Sequence, residues 1–268
     1  MDRHVVFDWI GSQNSFVDQP NILELGHIVI GRYGGNSSSG QYKNEDGCFV
    51  LADLEQDWEF MILLDAHNTA ASAELIVRNF NQRKKDIEEA LARTPNLAFQ
   101  EVHALVINLF QSQDFLEECR NVQGETACLI VARKSKYCWW FSVGDCLLYL
   151  HHPELASLGQ YQLNQRHFYE WIGQVNTFDL PIPCYSSGIR ELRKGLNHLF
   201  MTTDGLVECP GEPYLEPKAI FEEFNVEANT AAVRTLLSKI QAHQVRDSTT
   251  IVSWMVEVEE EASEPSDM

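Results

Sequence analysis

A chain of 268 residues, 44% hydrophobic and 22% charged, suits one generous globular domain, or at most two, with a large buried core. Its formal net charge of −19 repels nucleic-acid phosphates and anionic lipid, so neither is expected as a partner. Seven cysteines form an odd set with no C-x-x-C, which fits a reducing, cytoplasmic compartment better than a disulfide framework. The start of the chain has no basic stretch leading into an apolar one, and no apolar run approaches the roughly eighteen residues of a membrane span, so the protein is expected to be neither exported nor membrane-spanning.

Residues 1–26 carry little pattern beyond a short strand through Val5-Val6-Phe7 and Trp9-Ile10, and Ile28-Val29-Ile30 predicts another. The Gly- and Ser-rich loop at 31–40 is followed by neither Gly-Lys-Ser/Thr nor a helix, so it reads as a connection rather than a phosphate cradle. Two strands at 47–53 and 58–65, joined by a polar turn, predict an antiparallel hairpin. The second contains Phe60-Met61-Ile62-Leu63-Leu64, an apolar run without alternation, as expected of a strand buried on both faces. Ala73, Ile76, Val77, Phe80, Ile87 and Leu91 then recur at helical spacing, which predicts one helix capped by Asn68 or Thr69 and stopped at Thr94-Pro95. A second helix is expected over 97–116.

Strands follow at 126–132, 137–143 and 146–150, with His151 and His152 exposed at the exit of the last. Residues 155–193 are irregular and read as a surface flap. A strand at 196–203, helices at 217–224 and 230–242, and a central strand at 248–258 complete the series. The last twelve residues hold Glu257, Glu259, Glu260, Glu261, Glu264 and Asp267, so 257–268 read as an acidic, disordered tail on a single domain spanning 1–256. Strands, two helices, strands, two helices and a strand point to an α+β fold, a layered sandwich of sheets with helices outside.

One residue type recurs at the strand ends. Asp65 closes the apolar run at 60–64, Asp204 follows Leu199–Thr203, Asp145 follows Trp139–Gly144, Asp46 precedes the strand at 47–53, and Asp247 opens the last strand. Strand ends far apart in a chain can meet at one rim of a sandwich, and carboxylates gathered there need cations. Oxygen ligands without cysteine or a histidine cluster suit hard ions, magnesium or manganese rather than zinc.

The motifs Asn44-Glu45-Asp46, Asp65-Ala66-His67, Gly124-Glu125-Thr126-Ala127, Val143-Gly144-Asp145, Thr203-Asp204-Gly205 and Asp247-Ser248-Thr249-Thr250 appear in that order over about 200 residues. Together they resemble the metal-dependent serine/threonine protein phosphatase family of the 2C type. The resemblance implies a four-layer α-β-β-α sandwich of two mostly antiparallel sheets and removal of phosphate from phosphoserine and phosphothreonine in proteins. It implies a cytoplasmic, bacterial setting, a phosphorylated protein as partner and two Mn²⁺ or Mg²⁺ ions, with a third as an option. By position, Asp65 bridges the two ions, Asp204 and Asp247 complete the first, and the Ala66 carbonyl serves the second. Glu45 and Asp46 hold waters on that ion, Asp145 joins Asp204 on the third, and His67 is the general acid.

Chemically, two such ions lower the pKa of a bridging water and clamp the attacking and leaving oxygens. A histidine can then protonate the leaving alkoxide. The sequence departs from the family at three places. Gln41 and Tyr42 stand where relatives carry a phosphate-gripping arginine, which leaves Lys43 as the candidate contact, a point charge without arginine's fork. Ala66 replaces a glycine, and Asn68-Thr69 replace the glycines after the histidine. The missing arginine admits another reading, a catalytically weak or inactive phosphatase-like signalling module, and the irregular 155–193 segment, taken as a lid, admits a phosphatase of small phosphorylated metabolites.

Overall fold

A computed structural model describes residues 4–263. Its first half runs β1 (His4–Ile10), β2 (Asn21–Leu25), β3 (Ile28–Tyr33), β4 (Gly47–Asp53), β5 (Trp58–His67), α1 (Ala71–Gln82), α2 (Lys84–Leu91), α3 (Pro95–Phe110) and α4 (Gln113–Asn121). The second half runs β6 (Glu125–Lys134), β7 (Tyr137–Val143), β8 (Leu147–His151), α5 (Pro153–Ser157), β9 (Ile172–Gly173), β10 (Ser186–Glu191), β11 (Gly195–Thr202), α6 (Pro217–Val226), α7 (Asn229–Ala242) and β12 (Thr249–Val258). The strands form two sheets, ordered β1-β4-β5-β6-β7-β10, with β9 also on β6, and β2-β3-β12-β11-β8. Every pairing is antiparallel.

The central strands are apolar on both faces because each sheet is covered twice. In β5, Phe60, Ile62 and Leu64 pack under α1 to α4, while Met61 and Leu63 face the second sheet. The outer side of that second sheet, with Phe200 and Ile251, lies under Ile220 of α6 and Val233, Leu236, Leu237 and Ile240 of α7. Burying each such large side chain is worth roughly 1.5–3 kcal/mol over leaving it exposed. Three apolar layers between four structural ones make the α-β-β-α sandwich that the motifs imply, and β12 is central as expected.

Several boundaries differ from the sequence reading. The stripe from Ala73 to Leu91 is shared by two helices that break at Arg83, whose Nη1 donates to the Asn79 carbonyl and so satisfies an acceptor left free by the break. The helix expected over 97–116 is also two, because Ser112 caps α4 by accepting from the Phe115 N–H. Thr69, rather than Asn68, accepts from the Ala71 N–H at the start of α1. Strand β2 was not expected, and the irregular segment contributes β10 as an edge of the first sheet. His151 and His152 are buried, not exposed, because the end of β8 runs beneath the Phe221 and Phe224 rings of α6. Finally, Glu257 and Val258 belong to β12, and Glu260 and Glu261 pair with Lys136 and Lys194, so the expected tail is structured at least that far. Its last residues, 264–268, lie outside the described ones. Among the described residues, no helix is long and apolar enough to cross a membrane.

Candidate metal centre

Side chains alternate along β5, so Asp65 shares a face with Met61 and Leu63 and points between the sheets at their rim. Asp145 lies in the three-residue connection from β7 to β8. That turn needs Gly144, whose φ of 86° suits glycine and whose missing Cβ leaves room for Ala127. Asp204 follows β11 after one residue, Thr203. One carboxylate oxygen from each of Asp65, Asp145 and Asp204 lies within 4.8 Å of the others, and all three side chains are buried. Asp65 Oδ2 and Asp145 Oδ1 have no hydrogen-bond partner.

Burial and the neighbouring aspartates push the Asp65 carboxyl well above the usual carboxylate range. Asp204 is raised to about 8 by burial and by the charges of Asp247, Asp145 and Glu208, and burial also raises Asp145. Asp247 is raised as well, although its side chain is exposed at the surface and solvent moderates the effect. Protein groups alone therefore leave these carboxylates under-compensated. Buried oxygen donors with free lone pairs fit hard divalent cations, which would restore the ionised state.

Asp46 sits behind this group, fully buried, and both its oxygens are engaged. Ser248 Oγ donates to Oδ1 at 2.8 Å, and Thr250 Oγ1 and Thr203 Oγ1 donate to Oδ2 at 2.7 and 3.2 Å. These hydroxyls join the segments carrying Asp204 and Asp247 to the one carrying Asp46. Glu45 is paired with Lys43, whose ammonium also donates to the Asn68 carbonyl at 2.7 Å. Lys43 is thus occupied by two acceptors beside the rim. Ala66 keeps extended strand backbone and does not adopt positive φ, so the replacement of glycine costs nothing there. Asn68 does adopt positive φ, 72°, a conformation asparagine tolerates better than most residues. His67 is exposed at the end of β5, its ring 4.9 Å from that of Trp171.

One residue of the site has no counterpart among the sequence candidates. Arg166, in the irregular segment, directs its Nη2 at Asp204 Oδ2 (3.3 Å) and Asp145 Oδ2 (3.7 Å) and pairs with Glu208. No motif marks it; the one sequence signal is a base in an acidic chain close to the β7–β8 strands.

A sandwich of this order is the fold of solved bacterial serine/threonine phosphatases of the 2C type. A bacterial serine phosphatase is similar at 14% identity and a TM-score of 0.63, covering 87% of this chain and 98% of its own. The serine/threonine phosphatase Stp1 from Staphylococcus aureus is similar at 13% identity and 0.60, covering 89% and 94%. RsbX, solved in complex with magnesium, matches at 15% identity and 0.54, covering 89% and 100%. By sequence, no family model matches the chain, and no curated protein does either.

Proposed function

We propose that this protein is a metal-dependent phosphomonoester hydrolase that removes phosphate from phosphoserine and phosphothreonine in proteins, in the cytoplasm. The observation that carries the reading is the meeting of Asp65, Asp145 and Asp204 at one buried rim with carboxylate oxygens left unpaired. Asp65, Asp204 and Asp247, with the Ala66 carbonyl, would hold manganese or magnesium, and Asp46 and Glu45 would act through water. Bound there, divalent cations supply Lewis acidity toward the phosphoryl oxygens and lower the pKa of water.

The protein's own residues do the rest. The hydroxyls of Thr203, Ser248 and Thr250 fix Asp46 and hold the rim together. Trp171 limits the swing of the His67 ring, from which a ring nitrogen can give its proton to the leaving alkoxide. The cytoplasmic setting is supported by seven free cysteines, six of them buried.

A second reading is favoured by Lys43. With its ammonium committed to Glu45 and Asn68, Lys43 is not a free cation for phosphate, as a catalytically weak signalling module would have it. Turnover of p-nitrophenyl phosphate and of a phosphothreonine peptide, with and without manganese, separates the two. Manganese-dependent turnover lost in Asp65→Asn and Asp204→Asn upholds the hydrolase; manganese binding by calorimetry without turnover upholds the module. Faster hydrolysis of small phosphoesters than of phosphopeptides overturns the protein substrate.

A further inference from the structure

Arg166 is held more firmly than the irregular course of its segment suggests. Two residues before it, the buried Asn164 accepts from the Leu148 N–H at 2.8 Å and donates to the Cys146 carbonyl at 2.8 Å and to Ser142 Oγ at 3.1 Å. One residue after it, the His167 N–H donates to the Gly144 carbonyl at 2.9 Å. Further back, Leu163 N–H bonds to the Leu148 carbonyl. These anchors all lie on β7, β8 and the turn that carries Asp145, so the guanidinium and that carboxylate are built on one frame. The Phe168 ring lies 4.8 Å from the guanidinium carbon and covers it on one face.

Charge accounts for what it does there. Asp46, Asp65, Asp145, Asp204 and Asp247 would carry five negative charges when ionised, and Arg166 leaves four. Two divalent cations cancel four. Glu208, on the guanidinium's outer side, is exposed and screened, and Glu45 is cancelled by Lys43. A third divalent ion would have to share Asp145 and Asp204 with a fixed cation 3.3 to 3.7 Å from their oxygens.

We propose that Arg166 is a built-in cation on the Asp145–Asp204 side of the rim, which takes the place of a third metal ion and limits the site to two. The proposal rests on the reading of this rim as a metal centre. Arg166 is a positioning residue in this role: it offsets the charge of Asp145 from the Oδ2 side and leaves Oδ1 unpartnered toward Asp65 and Asp204. Asp65, with its unpartnered oxygen, remains the group around which the two ions gather.

Manganese stoichiometry of the full chain by titration calorimetry tests this without recourse to activity. The wild type takes up about two ions, Arg166→Met about three with the added one weakest, and Arg166→Lys returns to about two because the single charge is kept. Adding Asp145→Asn to Arg166→Met removes the added ion again. Circular dichroism on each variant checks that it is folded, and since the lysine variant and the double variant report independently, misfolding of one leaves the other to decide. A wild type that binds three ions, or an Arg166→Met protein that still binds two, overturns the proposal while leaving the metal centre intact. Absence of manganese binding in the wild type overturns the metal centre itself and this proposal with it.

Discussion

Gly205 and Ser248 touch through their backbones: a Cβ on Gly205 would overlap the Ser248 carbonyl oxygen and crowd Thr249 Oγ1. The loop after β11 and the start of β12 can therefore lie together, with Asp204 beside Asp247, only because residue 205 has no side chain. Gly205→Ala must push the two segments apart. A shift on the order of 1 Å in a reacting group can cost about 10²-fold in rate. We expect manganese-dependent turnover to fall by about that factor while the protein stays folded, as measured by phosphatase kinetics and circular dichroism.

Metal removal has a predictable effect on stability. Because the rim carboxylates repel each other without cations, manganese at about 100 times its dissociation constant should add about 2.7 kcal/mol. For a chain of this size that is a rise of several degrees in Tm, reversed by chelator. Asp65→Asn removes one repelling charge, so in chelator it melts no lower than the wild type, but manganese no longer raises its Tm. Thermal scans with manganese and with chelator check both halves.

At the other end of β5, about 20 Å from Asp65 at some 3.3 Å per residue, buried charges are fully matched. Glu59 and Arg133 face each other across β5 and β6, the guanidinium donating through Nε and Nη2 to the two carboxylate oxygens, with His27 on the same carboxylate at 2.9 Å. Arg133→Met leaves Glu59 buried without its cation, which should cost about 3–5 kcal/mol. The double variant Arg133→Met/Glu59→Leu should recover much of that loss. Urea unfolding midpoints of the three proteins measure it.

The buried histidines make stability depend on pH. Burial lowers the His151 pKa from its ordinary 6.5 to about 3, and His198, hydrogen-bonded to it at 2.9 Å and to Ser253 Oγ, is lowered well below its ordinary value too. Between about pH 6.5 and 3 the unfolded chain binds a proton at His151 that the folded chain refuses. The contribution is complete above pH 6.5 and is lost as pH falls toward 3, by about 1.4 kcal/mol per unit. Urea midpoints at pH 7.5 and 5.5 should therefore drop further for the wild type than for His151→Leu; the rim carboxylates, which shift stability in the opposite sense, act on both proteins alike.

The unbroken apolar run at 60–64 and the aspartates at five strand ends were legible because both are local: a strand covered on two faces has no polar side, and a strand end at a rim exposes whatever residue stops it. The break at Arg83 was not legible, since neither Pro nor Gly marks it and the long arginine side chain mends the hydrogen bonding. Burial of His151 depends on α6, seventy residues further along the chain. Arg166 escaped for a related reason: it reaches Asp204 only because Asn164 and His167 tie its segment to β7 and β8, and contacts between distant segments leave no periodicity to read.

Two connections of three residues each, 144–146 and 192–194, carry the chain from one sheet to the other, the first from β7 to β8 and the second from β10 to β11. They sit at opposite ends of the same flank and bind the sheets along it like the spine of a book. The opposite flank, β1 and β2, is joined by a loop of ten residues. Short connections restrict separation more than long ones, so the sandwich is expected to open first at the leaves, with Asp145, set into the spine, held against that motion.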